Sequence, residues 1–142
     1  MDFITDILKN LSYWSYLFMV LAGSFNGLMD LLQFRFNRSI FSDATRFDQQ
    51  NWNPKLSWRN KYLMGDPDYG PKFRFSTTAL VFLTDYWHFF QWMTISFIAI
   101  SVLVYSQGNA TRFVIDAIFL RFVCWQGGFW LIYETRILKI KS

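Results

Sequence analysis

Residues 13–34 read YWSYLFMVLAGSFNGLMDLLQF, an apolar run with no lysine or arginine and a single acid, Asp30. At about 1.5 Å per residue, a helix over this run would be about 33 Å long, enough to cross the roughly 30 Å hydrocarbon core of a bilayer. Aromatic residues open the run and Arg35 follows it, as is typical of a helix anchored at both membrane surfaces. The run therefore predicts a transmembrane helix.

Two further apolar runs, 77–105 and 113–133, are also long enough to cross a bilayer. The first is long for one span, so we expect it to tilt or to protrude on one side. Each run carries two ionisable residues. The sequence thus predicts an all-α membrane protein with three transmembrane helices.

The composition supports this class. The chain has 142 residues, of which 53% are hydrophobic and 22% aromatic, while only 17% are charged. A soluble domain of this size could not bury so many rings without exposing large apolar patches. One cysteine and one histidine exclude an internal disulfide and a histidine pair within the chain. No particular cofactor is implied.

We divide the chain, as a single membrane domain over residues 1–142, into seven segments. In order these are an amphipathic interfacial helix (1–12), a first span (13–34), a loop (35–76), a second span (77–105), a turn (106–112), a third span (113–133) and a tail (134–142). Because the first segment is too short to span, we expect it to lie on the membrane surface or to extend the first span.

The distribution of lysine and arginine predicts the orientation. Eight basic residues lie in the loop and three in the tail, giving 11, whereas the opposite side carries only Lys9 and Arg112. Basic residues accumulate on the cytoplasmic side of membrane proteins. We therefore expect the loop and the C-terminus in the cytoplasm and the N-terminus outside.

The loop is rich in aromatic rings, which favours an ordered segment folded against the membrane over a flexible linker. Its most distinctive part alternates rings and charges: Trp58, Arg59, Lys61 and Tyr62. Such a surface suits the anionic headgroups of a lipid bilayer. The alternatives are ordinary anchoring at the membrane and contact with a nucleic-acid backbone.

The first two spans carry a polar cluster on their loop side, formed by Asn26, Asp30, Asp85, His88 and Gln91. Two carboxylates and an imidazole could hold a divalent metal ion, for which Asp30, Asp85 and His88 are weak candidates. They could also relay protons, because histidine titrates near neutral pH. The third interpretation is a polar clamp that fixes the packing of two helices.

The third span carries two charges, Asp116 and Arg121. Five residues apart on a helix, they project about 140° from each other and cannot pair directly. Charged residues within a membrane need a partner or a wet cavity. Arg121 therefore indicates a protein-lined interior or a partner subunit.

Small residues predict where helices pack closely. Gly23 and Gly27 are spaced as in a helix-packing motif, and we interpret Gly127 and Gly128 in the same way. The partner helix could belong to this chain or to a second copy in an oligomer.

An ordered series of motifs resembles a group of small integral membrane proteins of Bacteroidetes-type bacteria and their phages. The motifs lie between about residues 20 and 92 and read FNGLMD (25–30), SWRNKY (57–62), GDP (65–67) and TDYWHFF (84–90). The resemblance implies a bacterial or phage membrane protein, located in the bacterial inner membrane or in a virion membrane. It supplies no catalytic role.

Three functions fit these observations. The first is a non-enzymatic structural, anchoring or assembly subunit of a larger membrane complex or lipid-containing virion. The second is a membrane-interface enzyme or metal protein that uses Asp30, Asp85 and His88. The third is an oligomeric ion or proton conductor.

Overall fold

The computed structural model describes the backbone of residues 2–105, 118–135 and 138, and side chains from Trp14 onward. Over these residues the chain is helical and forms no β-strand. The helices are α1 (Asp2–Arg35), α2 (Gln49–Trp52), α3 (Pro54–Ser57), α4 (Tyr86–Tyr105) and α5 (Gln126–Tyr133), the last preceded by a π-helical turn (Leu120–Trp125). Short 3-10 turns occupy Phe36–Arg38, Ile40–Ser42, Trp58–Lys61, Leu63–Gly65, Pro67–Tyr69 and Val81–Leu83.

Helix α1 joins two segments that the sequence analysis separated. Residues 1–12 were expected either on the membrane surface or as an extension of the first span, and the structure shows the extension from Asp2 onward. Neither proline nor glycine occurs before Gly23, so nothing in the sequence breaks the helix between the two segments.

Among the described residues, two segments, not the three predicted, are helical over a sufficient length and apolar enough to cross a membrane: Trp14–Arg38 and Tyr86–Tyr105. The third predicted span, 113–133, begins outside the described residues. Its described helical part starts at Ile118 and is about 24 Å long at 1.5 Å per residue, which is short of a bilayer core.

The second span also begins later than predicted. Helix α4 starts at Tyr86, whereas the apolar run starts at Thr77. The reason is Asp85: its carboxylate accepts a hydrogen bond from the backbone N–H of His88, and its carbonyl accepts one from Phe89. An aspartate in this position caps a helix N-terminus. The preceding residues form tight turns instead.

Helices α1 and α4 pack antiparallel along most of the length of α4. Ser15 and Ser101 are fully buried between them, and each hydroxyl donates to the other residue's carbonyl, at 2.9 and 2.8 Å. Further along, Phe25 stacks on Phe97, with ring centroids 5.6 Å apart. Aromatic packing and one buried polar pair thus fix the register of the two helices.

Helix α5 runs parallel to α1 and lies very close to it. A Cβ atom on Gly23 would clash with the carbonyl oxygen of Trp125, in the turn before α5, and one on Gly128 would clash with that of Val20. At Gly27 the nearest atom, the carbonyl oxygen of Phe129, would be 3.0 Å away. The two backbones are therefore in direct contact, which only glycine permits here.

Aromatic stacking and hydrogen bonds hold the region between α1 and α4 in place. Trp52 stacks between Phe41 and Tyr86, with centroid distances of 4.4 and 3.9 Å. The Asn60 amide donates to the carbonyl of Thr84 and to the side chain of Asn51. This region is thus ordered against the first turn of α4.

Alanine substitution tests the α1–α5 contact. Gly23→Ala and Gly128→Ala should each lower the free energy of unfolding by about 1–3 kcal/mol, because the added methyl group meets backbone atoms. Gly127→Ala is the matched control, because no neighbouring atom of the described residues lies within 4 Å of its Cβ position. Equal stability of all three variants in detergent unfolding experiments would contradict the contact.

Candidate functional site

Asp85 and His88 form a bonded pair at the start of α4. Oδ2 of Asp85 lies 2.7 Å from Nδ1 of His88 and accepts a 3.1 Å hydrogen bond from the hydroxyl of Thr84. The Asp85 side chain is 1% exposed and that of His88 is 20% exposed. With a carboxylate at Nδ1, a neutral imidazole carries its proton on that nitrogen and leaves Nε2 as an acceptor.

The other members of the predicted polar cluster do not join this pair. The side chains of Asn26, Asp30 and Gln91 make no hydrogen bond or ion pair with any residue that the structure describes. Phe25 faces α4, and Asp30, five residues later, projects about 140° away from it. The predicted three-residue site is therefore reduced to two members that touch.

The three predicted metal ligands, Asp30, Asp85 and His88, are therefore not brought together. Across the described residues, no group of three or more histidine, cysteine, aspartate or glutamate side chains could hold a metal ion. Asp85 already accepts three hydrogen bonds, from Thr84 and from the backbone and ring of His88. The pair caps the N-terminus of one helix and does not bridge two helices, so it is not the predicted polar clamp.

A cleft of about 310 Å³ opens beside Asp85. Its walls come from the start of α4, the preceding turn and α2, and are lined by Asn51, Phe82, Leu83, Thr84, Asp85, Tyr86 and Phe89. His88 does not line this cleft.

Arg121 lies on the exposed side of the π-helical turn. Its guanidinium carbon is 4.8 Å from the centre of the Trp125 ring and 5.8 Å from that of Phe122. Within the described part of the chain it has no acidic or hydrogen-bonding partner. Asp116, the other charge predicted in this span, falls outside the described residues.

The predicted aromatic-basic surface is exposed at Trp58 and Arg59 and half-buried at Lys61 and Tyr62. Trp58 and Arg59 are exposed, and the Arg59 guanidinium lies 5.5 Å from the Trp58 ring centre. The ammonium of Lys61 lies 5.8 Å from the ring centre of Tyr62. The charges thus sit against the rings, with both available to an anionic partner.

Two contacts were not foreseen from the sequence. Arg35 pairs with Glu134 at 3.2 Å and donates to the carbonyl of Tyr133, joining the ends of α1 and α5. The Ser15–Ser101 pair joins α1 to α4. Small polar residues at wide separation in apolar runs are the sequence signal for such a pair, but they do not reveal which two serines meet.

Substitutions at the start of α4 test the role of Asp85. Asp85→Ala removes the helix cap and should lower the free energy of unfolding by about 1–2 kcal/mol. His88→Leu removes only one of the three bonds to Asp85 and should cost about 1 kcal/mol, with partial recovery in His88→Gln. Thermal unfolding in detergent measures both.

Asp30→Asn is the control for these variants, because Asp30 has no polar contact among the described residues. It should unfold close to the wild type. The capping role of Asp85 is wrong if Asp85→Ala is as stable as Asp30→Asn.

Comparison with protein-family models, curated proteins and solved structures gives no match for this chain. A functional assignment therefore rests on the geometry described above.

Proposed function

We propose that the chain is an integral membrane protein that acts as a non-enzymatic structural, anchoring or assembly subunit of a larger membrane complex or lipid-containing virion. The observation that carries this proposal is Arg121, a charged side chain exposed on an apolar helix face without an acidic or hydrogen-bonding partner in the described residues. The membrane that we propose is a bacterial inner membrane or a virion membrane.

Exposed apolar side chains support the membrane setting. They cover the outer faces of α4 and of residues 118–131 and include Ile95, Ile100, Val102, Ile118, Phe119, Phe122, Val123, Trp130 and Leu131. Contiguous apolar surfaces of this kind are rare on soluble monomers. Lipid chains or a partner helix would cover them.

The packing of α5 supports a third span. Contacts between Gly23 and Trp125, Gly27 and Phe129, and Arg35 and Glu134 show that α5 runs parallel to α1. Because α4 is antiparallel to α1, helices α4 and α5 run in opposite directions. The ends of α1 and α5 then lie on the same side, together with the basic loop.

Orientation follows from the 11 basic residues of the loop and tail against two on the opposite side. We place the loop and the C-terminus in the cytoplasm and the N-terminus outside. Reporter fusions at positions 5, 60, 108 and 142 test this arrangement. An external signal at position 60, or opposite locations for positions 60 and 142, would contradict it.

Arg121 supports a role as a subunit. A charged side chain at the centre of a transmembrane helix costs about 2.5–3.5 kcal/mol on insertion scales, so a partner that supplies a carboxylate or carbonyl gains by pairing with it. The ring of Trp125 covers one side of the guanidinium and leaves its N–H donors available. We infer that the face around Arg121 contacts another membrane protein or a second copy.

Site-specific photocrosslinking in membranes tests this contact. A photoreactive residue at Phe122, which is 69% exposed beside Arg121, should give a discrete protein adduct. Arg121→Leu should abolish the adduct and Arg121→Lys should retain part of it. A probe at Ile95 on α4, 61% exposed, is the control. If Phe122 and Ile95 give only lipid adducts, the subunit role is wrong.

The Asp85–His88 pair favours a second candidate function, proton transfer at the membrane surface. Its support is the imidazole held at Nδ1 with Nε2 left unbonded among the described residues. Proton flux into liposomes that contain the protein should fall in His88→Gln, which can keep a hydrogen bond to Asp85. Unchanged flux would remove this candidate.

A further inference from the structure

A segment of turns connects the aromatic-basic surface to α4. Residues 73–83, predicted partly as loop and partly as span, form tight turns ahead of α4. Their exposed side chains are mostly apolar: Leu83 is 62% exposed and Phe75 is 50% exposed. Lys72 and Arg74 are exposed beside them.

The position of this segment relative to α4 is fixed by ring stacking. Phe82 stacks on Trp92, with ring centroids 4.8 Å apart and planes 15° from parallel. Trp92 lies six residues, or about 9 Å, beyond the start of α4. The segment therefore folds back along the outside of the first two turns of α4.

The backbone of the segment is only partly bonded within the protein. The N–H groups of Ser76, Thr78, Leu80, Val81 and Leu83 donate to nearby carbonyls. The hydroxyl of Ser76 also donates to the carbonyl of Lys61 and holds the segment against the loop. The N–H groups of Phe73, Arg74, Phe75, Thr77 and Ala79 have no acceptor among the described residues, so this backbone suits the polar boundary of a membrane and not its hydrocarbon core.

The backbone at Phe75 is strained, and its ring is exposed. Its φ angle is 67°, in the left-handed region that a bulky side chain rarely adopts. Its carbonyl accepts hydrogen bonds from both Thr78 and Leu80, which hold that conformation. An exposed ring held on strained backbone next to Arg74 is consistent with a side chain directed at an external partner.

We propose that residues 72–83 form an interfacial collar, a non-helical segment that lies at the boundary between lipid headgroups and acyl chains on the loop side of the membrane. Phe75 and Leu83 enter the upper acyl region, while Lys72 and Arg74 lie among the phosphates. Apolar and basic side chains combined in this way are typical of interfacial segments. This inference rests on the proposed transmembrane placement of α4.

Depth-dependent fluorescence quenching tests the collar in the full-length protein. A bimane label is placed on a single cysteine at position 83 or 75, in a Cys124→Ala background, and the protein is reconstituted in phosphatidylcholine and phosphatidylglycerol vesicles. Lipids with a doxyl quencher at acyl carbon 5 or carbon 12 report shallow or deep contact. Labels at Leu83 and Phe75 should be quenched at least twofold more by the 5-doxyl lipid than by the 12-doxyl lipid.

Two control positions separate this inference from the function on which it rests. A label at Ile95, which is as exposed as Leu83 but lies on α4, should be quenched more by the 12-doxyl lipid. A label at Ala44, which is exposed in the loop, should be quenched by neither lipid. The collar is overturned if the labels at Leu83 and Phe75 behave like that at Ala44, or if they are quenched most by the 12-doxyl lipid. If Ile95 is also unquenched, the transmembrane placement of α4 fails as well.

Discussion

The backbone contact between α1 and α5 is the constraint on which the rest of the arrangement depends. In the proposed membrane setting, apolar side chains gain little by exchanging lipid contacts for protein contacts. Helices there associate through close packing and polar pairs. Gly23 and Gly128 permit that close packing on one side of α1. On its other side, the Ser15–Ser101 pair and stacked phenylalanines bind α4. Helix α1 is thus the central element, with each neighbour fixed by a different kind of contact.

The second determinant is the cap at Asp85. Because the helix begins only after this cap, the apolar run of 77–105 contains a 20-residue helix, and the preceding residues form turns. Those turns carry the segment back along α4 and bring Thr84 to Asn60. One buried carboxylate therefore sets both the length of the span and the position of the loop.

The helical class and the close-packing role of Gly23, Gly27 and Gly128 could be predicted, because composition and the spacing of small residues carry them directly. The start of α4 could not be predicted in this way. Hydropathy treats Asp85 as a charge within an apolar run and contains no information about helix capping. The sequence also could not predict that Asp30 stays apart from Asp85 and His88. A similar depth on adjacent helices does not fix the direction in which a side chain projects. Gly127 has open space around its Cβ position, so it does not share the packing role of Gly128.

The membrane arrangement proposed above depends most on whether residues 118–133, which pack beside α1, lie within the bilayer. Amide hydrogen exchange of the protein in lipid nanodiscs tests it most directly, because exchange reports local access of water to each backbone segment. The account predicts that peptides from 118–133 are protected as strongly as those from 86–105, while peptides covering 43–50 exchange rapidly. Exchange of 118–133 at the rate of 43–50 would contradict it.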